Sequence, residues 1–442
     1  MTHPLITMTG RLILSESKVL RFITVCIFYL NQGVGLGFFG FVLPAWLAAN
    51  GASIGQIATV VSVTALPWSL KFASGFLIDR YTFLPMGRRR IWIVGAQIVM
   101  VAIMIIAAVL SPDPTEIALL AALGFGVNLA IAFQDVGIDA LAVDIMKESE
   151  RAKGAGIMFG SQTIGTAITV GLAGWLINSY GFSTAIISIA FLPAATILYG
   201  LVITERVGEK NLPWGTGKTH PSNRERQAKA WAPLLSGALR AIFMPVSLLV
   251  IPLLVIRTIP TGATGVFGPT LFTTYGGWST TSFTNFVSLV AVMVGVWGLI
   301  FCGKIVEKFG EKSVIAFCSG SICILFALFA ALPALWSEQW FLVSFVIVGE
   351  LLNITALIAV IPICMRLCLP AVAATQFVIY MSITNLGTLL GAFLARVTAG
   401  QGYEQLLFWV LALFMALVCV WSIFASSLYG SNDPQRAEAY SD

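Results

Sequence analysis

The chain has 442 residues, of which 58% are hydrophobic and only 10% are charged. Soluble domains carry about 25% charged residues, so this composition excludes an ordinary soluble protein and indicates a membrane protein. The net charge of +5 lies mostly in short segments between apolar runs, so it does not indicate nucleic-acid binding. The seven cysteines form neither a disulfide framework nor a zinc motif, and we predict no metal and no cofactor.

Apolar runs long enough to cross a bilayer recur along the whole chain. They predict an all-α membrane protein with twelve transmembrane helices, at residues 19–48, 53–78, 91–110, 117–146, 154–177, 183–203, 241–272, 283–303, 313–332, 341–365, 371–399 and 406–427. Almost all Lys and Arg residues fall in one alternating set of connecting segments, and the other set holds none. By the positive-inside rule, both termini and the segment 205–240 are expected in the cytoplasm.

A weak internal repeat divides the chain in two. The second span ends in Gly75-Phe-Leu-Ile-Asp79-Arg80, and the eighth ends in Gly303-Lys-Ile-Val-Glu307-Lys308. The shared pattern predicts two six-helix bundles, 1–204 and 241–442, joined by a cytoplasmic linker, 205–240, that is short enough to be a tether. Two parallel six-helix halves of this kind resemble the major facilitator architecture.

Four stretches make the resemblance more specific: 67–72 (Pro-Trp-Ser-Leu-Lys-Phe), 134–140 (Gln-Asp-Val-Gly-Ile-Asp-Ala), 150–154 (Glu-Arg-Ala-Lys-Gly) and 374–377 (Ala-Thr-Gln-Phe). They resemble corresponding stretches of the muropeptide permease family, in the same order along both halves. The resemblance implies import from the periplasm across a bacterial inner membrane. The wider group includes acetyl-CoA transporters and siderophore importers, and the siderophore importers fit a twelve-span length better because the muropeptide permeases carry two additional spans.

Four ionisable residues within the spans are candidates for proton coupling. Asp135 and Asp139 are four residues apart, so they share one face of their helix. Lys71 and Asp135 each lie 18 residues after the predicted start of a helix that enters from the same side, so they are expected at equal depth and could form an ion pair. Glu350 is expected near mid-depth. The alternative for Lys71 is that it extends to the cytoplasmic interface.

Amide and hydroxyl side chains distributed over both halves, together with one arginine, are candidates for binding the solute. They are Asn31, Gln32, Asn128, Gln162, Arg257, Asn353, Gln376, Tyr380 and Asn385. Arg257 has no obvious local counter-ion, which suits an anionic solute. Its span also holds several prolines and glycines, and interrupted helices are typical of gates and binding sites in transporters.

The basic loop after the second span is a candidate cytoplasmic gate. Its charged residues could form a latch with a carboxylate at the end of the fourth span; the set is Asp79, Arg80, Arg88, Arg89, Arg90 and Asp144. The alternative is that the positive charges only anchor the topology.

The chain has no Walker-type phosphate-binding motif, so transport would draw on an ion or solute gradient. We therefore predict a secondary active transporter and not an enzyme: a proton-coupled, monomeric importer of a polar, partly anionic small molecule such as a muropeptide. An iron-siderophore or acetyl-CoA are the alternative solutes. A magnesium-dependent prenyltransferase is disfavoured because it needs two Asp-rich motifs, and a non-transporting sensor on the same fold stays open.

Overall fold

The computed structural model describes residues 12–398 and 402–425, and this part of the chain is almost entirely helical. Its α-helices are α1 (Lys18–Gly37), α2 (Leu43–Ala49), α3 (Ile54–Leu70), α4 (Phe72–Arg80), α5 (Arg90–Leu110), α6 (Ile117–Ile145), α7 (Glu148–Ile189), α8 (Phe191–Val202), α9 (Pro221–Arg226), α10 (Trp231–Ile242), α11 (Pro245–Thr270), α12 (Thr280–Trp297), α13 (Gly303–Phe309), α14 (Glu311–Ala331), α15 (Gln339–Leu367), α16 (Ala373–Thr398) and α17 (Glu404–Phe424). Two short strands, β1 (Leu12–Ile13) and β2 (Ile203–Thr204), pair in parallel.

Among the described residues, ten helical stretches are long and apolar enough to cross a bilayer, and the bent pair α3–α4 would be an eleventh. One of the ten, Glu148–Val202, is 55 residues long, more than twice the length that one crossing needs. We expected a loop at 178–182 there, and the stretch is two helices that meet at a kink at Gly181, whose φ of 84° and ψ of 176° are not helical. Twelve crossings with cytoplasmic termini therefore remain a prediction.

Two of the predicted spans are interrupted where a continuous helix was expected. The first span passes from α1 through a wider π-helical turn, Phe38–Val42, into α2. The second span bends by 44° between α3 and α4, at Lys71. Pro67 lies one turn before the bend, and proline both lacks an N–H and crowds the preceding turn. The bend places Lys71 at a discontinuity in the helix.

The described residues form two compact units. Unit 1 comprises 12–147, 157–239 and 368–379, and unit 2 comprises 148–156, 240–367, 380–398 and 402–425. Three helices are therefore divided: the start of α7 groups with unit 2, the start of α16 groups with unit 1, and α10 is divided after Leu239. The predicted bundles 1–204 and 241–442 were derived from the repeat in the sequence and not from spatial grouping, and they stay a prediction.

In unit 1, α1 and α7 approach each other closely enough for their backbones to touch. A Cβ atom on Gly165 would overlap the carbonyl group of Leu30, and a Cβ on Gly33 would overlap the backbone at Thr166. Small residues allow such close approach between membrane helices. This contact fixes the α1 face on which Tyr29 and its neighbours lie.

In unit 2, α11 and α16 approach in a similar way, since a Cβ on Gly391 would overlap the carbonyl of Ile259. Aromatic residues fill the adjoining core: the rings of Phe329 and Phe345 stack with centroids 4.0 Å apart, and Phe408 meets Phe329 edge-on at 4.7 Å. Packed aromatic pairs of this kind stabilise a core by about 0.5–1.5 kcal/mol each beyond the burial of their area.

Candidate functional site

The centre of unit 1 holds a buried ion pair. Lys71 Nζ lies 2.9 Å from Asp135 Oδ2, and the two side chains are only 8% and 6% exposed. The ammonium group also lies 5.5 Å from the centre of the Trp68 ring. The pairing predicted from equal depth is therefore present, and Lys71 does not extend to solvent. A buried pair of this kind is costly to break, because removing one partner leaves the other charge uncompensated.

Asp139 lies one turn further along α6 and has a different partner. The hydroxyl of Tyr29, on α1, donates a hydrogen bond to its carboxylate. Both residues are buried, with exposures of 1% for Tyr29 and 3% for Asp139. Since Lys71 contacts Asp135, the cluster contains two carboxylates and one bound cation. Tyr29 was absent from the predicted site, because nothing in the sequence shows which α1 side chain faces α6.

Unit 1 also contains the predicted amide side chains of α1, α6 and α7. Trp68 Nε1 donates to Asn128 Oδ1 at 2.8 Å, and Gln162 Nε2 donates to Gln32 Oε1 at 2.8 Å. Asn31 is fully buried, and neither of its amide atoms has a hydrogen-bond partner among the described residues. Buried polar groups are nearly always bonded, so this amide marks a polar position within unit 1 whose partner is not another described side chain.

In unit 2 the predicted solute-binding arginine is buried beside an amide. Arg257 Nη1 donates to Asn353 Oδ1 at 3.3 Å, and Arg257 Nε has no hydrogen-bond partner among the described residues. Glu350 is half-buried and lies three residues before Asn353, hence on the same face of α15. No carboxylate of the described chain lies within 4 Å of the Arg257 guanidinium, so its charge is not neutralised by an ion pair.

The three candidates on α16 have separate surroundings. In unit 1, Gln376 Oε1 accepts a hydrogen bond from the backbone N–H of Leu369 at 2.8 Å, which closes the turn before α16. In unit 2, the hydroxyl groups of Tyr380 and Ser247 are 2.7 Å apart, and Asn385 is exposed. The contacts of Gln376 and Tyr380 are thus within the protein, and a solute-binding role for these residues remains a prediction.

The predicted gate residues form a dense cluster at one end of unit 1. Asp79 Oδ1 accepts from Arg89 at 2.7 Å and from Arg88 at 3.5 Å. Asp79 Oδ2 accepts from the backbone N–H and the hydroxyl of Thr375, at 2.8 and 2.9 Å. Asp79 therefore caps the N-terminus of α16, where free N–H groups and the helix dipole favour a negative charge.

Asp144 completes this cluster from the end of α6. It accepts from Arg89 Nε at 2.8 Å, and Arg88 lies 3.4 Å away. Burial and the neighbouring Arg89 charge lower the pKa of Arg88 to about 10, partly offset by the two carboxylates. Burial alone would lower the pKa of Arg89, but Asp144 and Asp79 outweigh it and raise that pKa above its usual value.

Two arginines predicted in the gate lie outside these ion pairs. The Arg80 guanidinium lies over the ring of Tyr81, 5.0 Å from its centre, because α4 ends there and the chain turns away. Arg90 donates instead to backbone carbonyls, including Met86 at 3.0 Å and Ile203 at 2.5 Å. No carboxylate of the described chain lies within the 4 Å ion-pair distance of either guanidinium, so a gate role for these two arginines stays a prediction that the ion pairs do not support.

The start of the segment after α8 is hydrogen-bonded to the start of α5 within unit 1. The carboxylate of Glu205 accepts from the backbone N–H groups of Arg88, Arg89 and Arg90, at 2.8, 2.7 and 2.6 Å. These N–H groups open α5, so Glu205 caps that helix. The sequence shows an acid at 205 but not its partners, which lie about 115 residues earlier.

Glu209 extends this cap. It accepts from the N–H groups of Glu205 and Arg206, both at 2.9 Å, and from Asn223 Nδ2 at 2.6 Å. Burial and the adjacent Glu205 charge nevertheless raise the pKa of Glu209 to about 8.

Unit 2 contains a counterpart of the Asp79–Asp144 cluster in which the acidic and basic residues have exchanged positions. Arg366, at the end of α15, is paired with Glu311 at the start of α14 and lies 3.2 Å from Glu148 at the start of α7. In unit 1 the end of α6 supplies the acid and the loop before α5 supplies the arginines. The acid of the repeated Gly-x-x-x-acid-base pattern in this half is Glu307, whereas the ion pairs are made by Glu311, four residues further on.

Comparisons with known proteins place this arrangement in a family. Residues 22–392 match the family model described as the Major Facilitator Superfamily. Over 149 residues the chain is 30% identical to the anhydromuropeptide permease of Escherichia coli K12, a match that covers 34% of this chain and 30% of the permease. Over 394 residues it is 23% identical to a folate-biopterin transporter of Synechocystis, with 86% of this chain and 75% of that protein covered.

The fold comparison agrees. The structure of a proton:xylose symporter superposes with a TM-score of 0.70, covering 93% of this chain and 95% of that one at 10% sequence identity. The predicted resemblance to this superfamily and to a muropeptide permease is confirmed, although the chain spans less than half of the permease's length in that match. The family match covers most of the chain, and the chain belongs to the Major Facilitator Superfamily of membrane transporters.

Proposed function

We propose that this chain is a proton-coupled importer of a muropeptide-class solute in a bacterial inner membrane. The observation that carries the proposal is the buried cluster of Lys71, Asp135 and Asp139, with Tyr29 bonded to the last. Ionisable side chains at membrane depth are costly and are typical of proton or solute pathways in transporters.

Charge balance assigns the proton to Asp139. Lys71 compensates Asp135 directly at 2.9 Å, whereas the neighbour of Asp139 is a neutral hydroxyl. Two ionised carboxylates one helical turn apart with one cation leave a net negative charge, which binding a proton removes. A tyrosine hydroxyl can donate to an ionised carboxylate or accept from a protonated one, so Tyr29 suits both states.

Arg257 supports an anionic solute. Its guanidinium is buried, contacts an amide rather than a carboxylate and retains donors without partners in the described chain. Charge-assisted hydrogen bonds from such a group to a carboxylate are among the strongest polar contacts, and lactyl or peptide carboxylates of a muropeptide would provide them. Asn353 holds the guanidinium in place.

We further propose that the Asp79–Arg88–Arg89–Asp144 cluster is the cytoplasmic gate. The chain would cross the membrane twelve times with both termini in the cytoplasm, as the sequence predicts. Opening would require Asp79 to release the N-terminus of α16. The hydrogen bonds from Thr375 to Asp79 support this assignment, because they join the loop charges to a helix in one contact.

The coupling proposal is tested by uptake into proteoliposomes of labelled anhydromuropeptide, with and without an imposed pH gradient. Wild-type uptake should rise when the outside is acidic, and Asp139→Asn should abolish that response while leaving solute binding measurable. The matched control is Asp113→Asn, which changes an exposed acid outside the cluster and should behave as wild type. Equal pH responses in Asp139→Asn and wild type would contradict the proposal.

The same vesicles identify the solute. Parallel assays use anhydromuropeptide, an iron-loaded siderophore, acetyl-CoA and a reduced folate, the last because of the relative that matches most of the chain. We expect saturable uptake of the muropeptide, reduced by Arg257→Gln. Uptake of the siderophore or folate alone would overturn the muropeptide assignment without affecting the coupling result.

A further inference from the structure

An apolar groove opens on the surface of unit 1 between α5 and α6, with Tyr81, Thr82 and Phe83 at one end. Its volume is about 650 Å³, within the roughly 300–1,000 Å³ usual for ligand sites. Val99 and Leu129, on opposite walls, are 51% and 38% exposed, so the groove faces outward from the apolar part of the helices. Gly95 and Gly126 leave space within it, and a Cβ atom on Gly95 would meet nothing within 4 Å.

Polar groups are confined to one end of this groove, and they already have partners. Trp92 Nε1 donates to the Tyr81 carbonyl at 2.6 Å, and Trp231 Nε1 donates to the Tyr81 hydroxyl at 3.3 Å. Thr82 Oγ1 donates to the carbonyl of Arg88 at 2.9 Å. A polar solute would therefore find few free hydrogen-bonding groups here, whereas a hydrocarbon chain needs none.

A cation stands at the same end. Arg80 precedes the lining residue Tyr81 and stacks on its ring, and its Nε is buried with no hydrogen-bond partner in the described chain. No described carboxylate lies within ion-pair distance of it. Tyrosine and tryptophan are typical of membrane interfaces, where aromatic rings lie at head-group level, and Tyr81, Trp92 and Trp231 mark such a level.

We propose that this groove binds one anionic phospholipid, with an acyl chain between α5 and α6 and its phosphate on Arg80. The chain spans a membrane, so lipid is the apolar molecule present around these helices at high concentration. The Arg80 guanidinium, which has no ion-pair partner in the described chain, selects an anionic head group over a zwitterionic one. The basic loops place the bound lipid in the membrane leaflet that these loops face. The residues that line the groove include none of the predicted solute-binding or proton-coupling residues.

The test is native mass spectrometry of the purified full-length protein with added phosphatidylglycerol or phosphatidylcholine of identical acyl chains. Wild type should retain one phosphatidylglycerol with about fivefold preference over phosphatidylcholine. Gly95→Leu should lose this lipid, because the new side chain extends into open groove. Gly171→Leu is the matched control, since it also meets open space on a membrane helix but lies outside the groove.

Arg80→Gln should keep a lipid but lose the preference between the two head groups. Retention of phosphatidylglycerol by Gly95→Leu at the wild-type level would overturn the groove assignment, and an unchanged preference in Arg80→Gln would overturn the head-group assignment. A dimer that dissociates in Gly95→Leu would show that a second copy occupies the groove and would also overturn the proposal. If Gly95→Leu does not fold, Leu129→Trp fills the groove from the opposite wall.

Discussion

Replacing Lys71 by methionine should be more destabilising than replacing its partner Asp135 by asparagine. Lys71→Met leaves two carboxylates, Asp135 and Asp139, without the cation that contacts one of them. Breaking a buried pair in this way costs about 3–5 kcal/mol. The two acids are one helical turn apart, about 6 Å, and whenever Asp139 is ionised the like charges repel by roughly 3 kcal/mol at an effective dielectric constant near 20. The repulsion and the lost pairing act in the same direction.

Asp135→Asn has a smaller effect because Lys71 retains an acid within reach. The ammonium can turn toward Asp139, so the loss is that of a charged hydrogen bond, about 1.5–3 kcal/mol. In the double variant neither group of the pair is left charged, so its cost should be well below the sum of the two single costs. Free energies of unfolding, measured by circular dichroism in mixed detergent micelles, provide the comparison. Additive costs, or a larger loss for Asp135→Asn than for Lys71→Met, would refute the reasoning.

Three further predictions follow from contacts elsewhere. Asp79→Asn should weaken the cluster by about 3–5 kcal/mol and accelerate hydrogen exchange at the Thr375 amide, whereas unchanged protection there would exclude Asp79 as the cap. Gly391→Ala should cost about 1–3 kcal/mol by overlap with a backbone carbonyl. The control Gly171→Ala, where the new Cβ meets open space, should be neutral or slightly stabilising. Equal thermal unfolding temperatures for the two glycine variants would contradict the close approach of α11 and α16. Glu209→Gln should remove a pH dependence of stability.

The helices could be predicted closely from the sequence because membrane thickness sets their length. The span predicted at 117–146 is Ile117–Ile145, and that predicted at 313–332 is Glu311–Ala331. The interruptions could not be predicted in the same way. Hydrophobicity continues through Phe38–Val42, so a transfer-energy criterion registers no change where the backbone passes into the π-helical turn. The kink at Gly181 differs, because it lies in the polar stretch 178–182 where the sequence predicted a loop.

Some contacts of the candidate site could likewise be predicted from the sequence and others could not. The Lys71–Asp135 pair followed from depth, which is a count of residues along each helix. The Tyr29–Asp139 contact depends on how α1 is rotated about its axis, and that rotation is set by the backbone contact at Gly165 rather than by a periodic pattern. Glu205 could not be placed for a third reason: its partners are backbone N–H groups, which every residue carries.

The pH dependence of Glu209 tests whether the segment after α8 is held as the contacts indicate. Burial and the charge of Glu205 raise the pKa of Glu209 from 4.5 to about 8, against the bonds from Arg206 and Asn223. The folded state therefore binds this proton more tightly than the unfolded chain. Its contribution is fully present below about pH 4.5 and is lost as the pH rises through about 8, a change of at most roughly 5 kcal/mol. Unfolding of wild type should become easier from pH 5 to 8, and Glu209→Gln should flatten that slope while Asp113→Asn keeps it. A wild-type slope that survives in Glu209→Gln would mean that another group titrates, and that the buried carboxylate pair at 205 and 209 does not control the attachment of this segment.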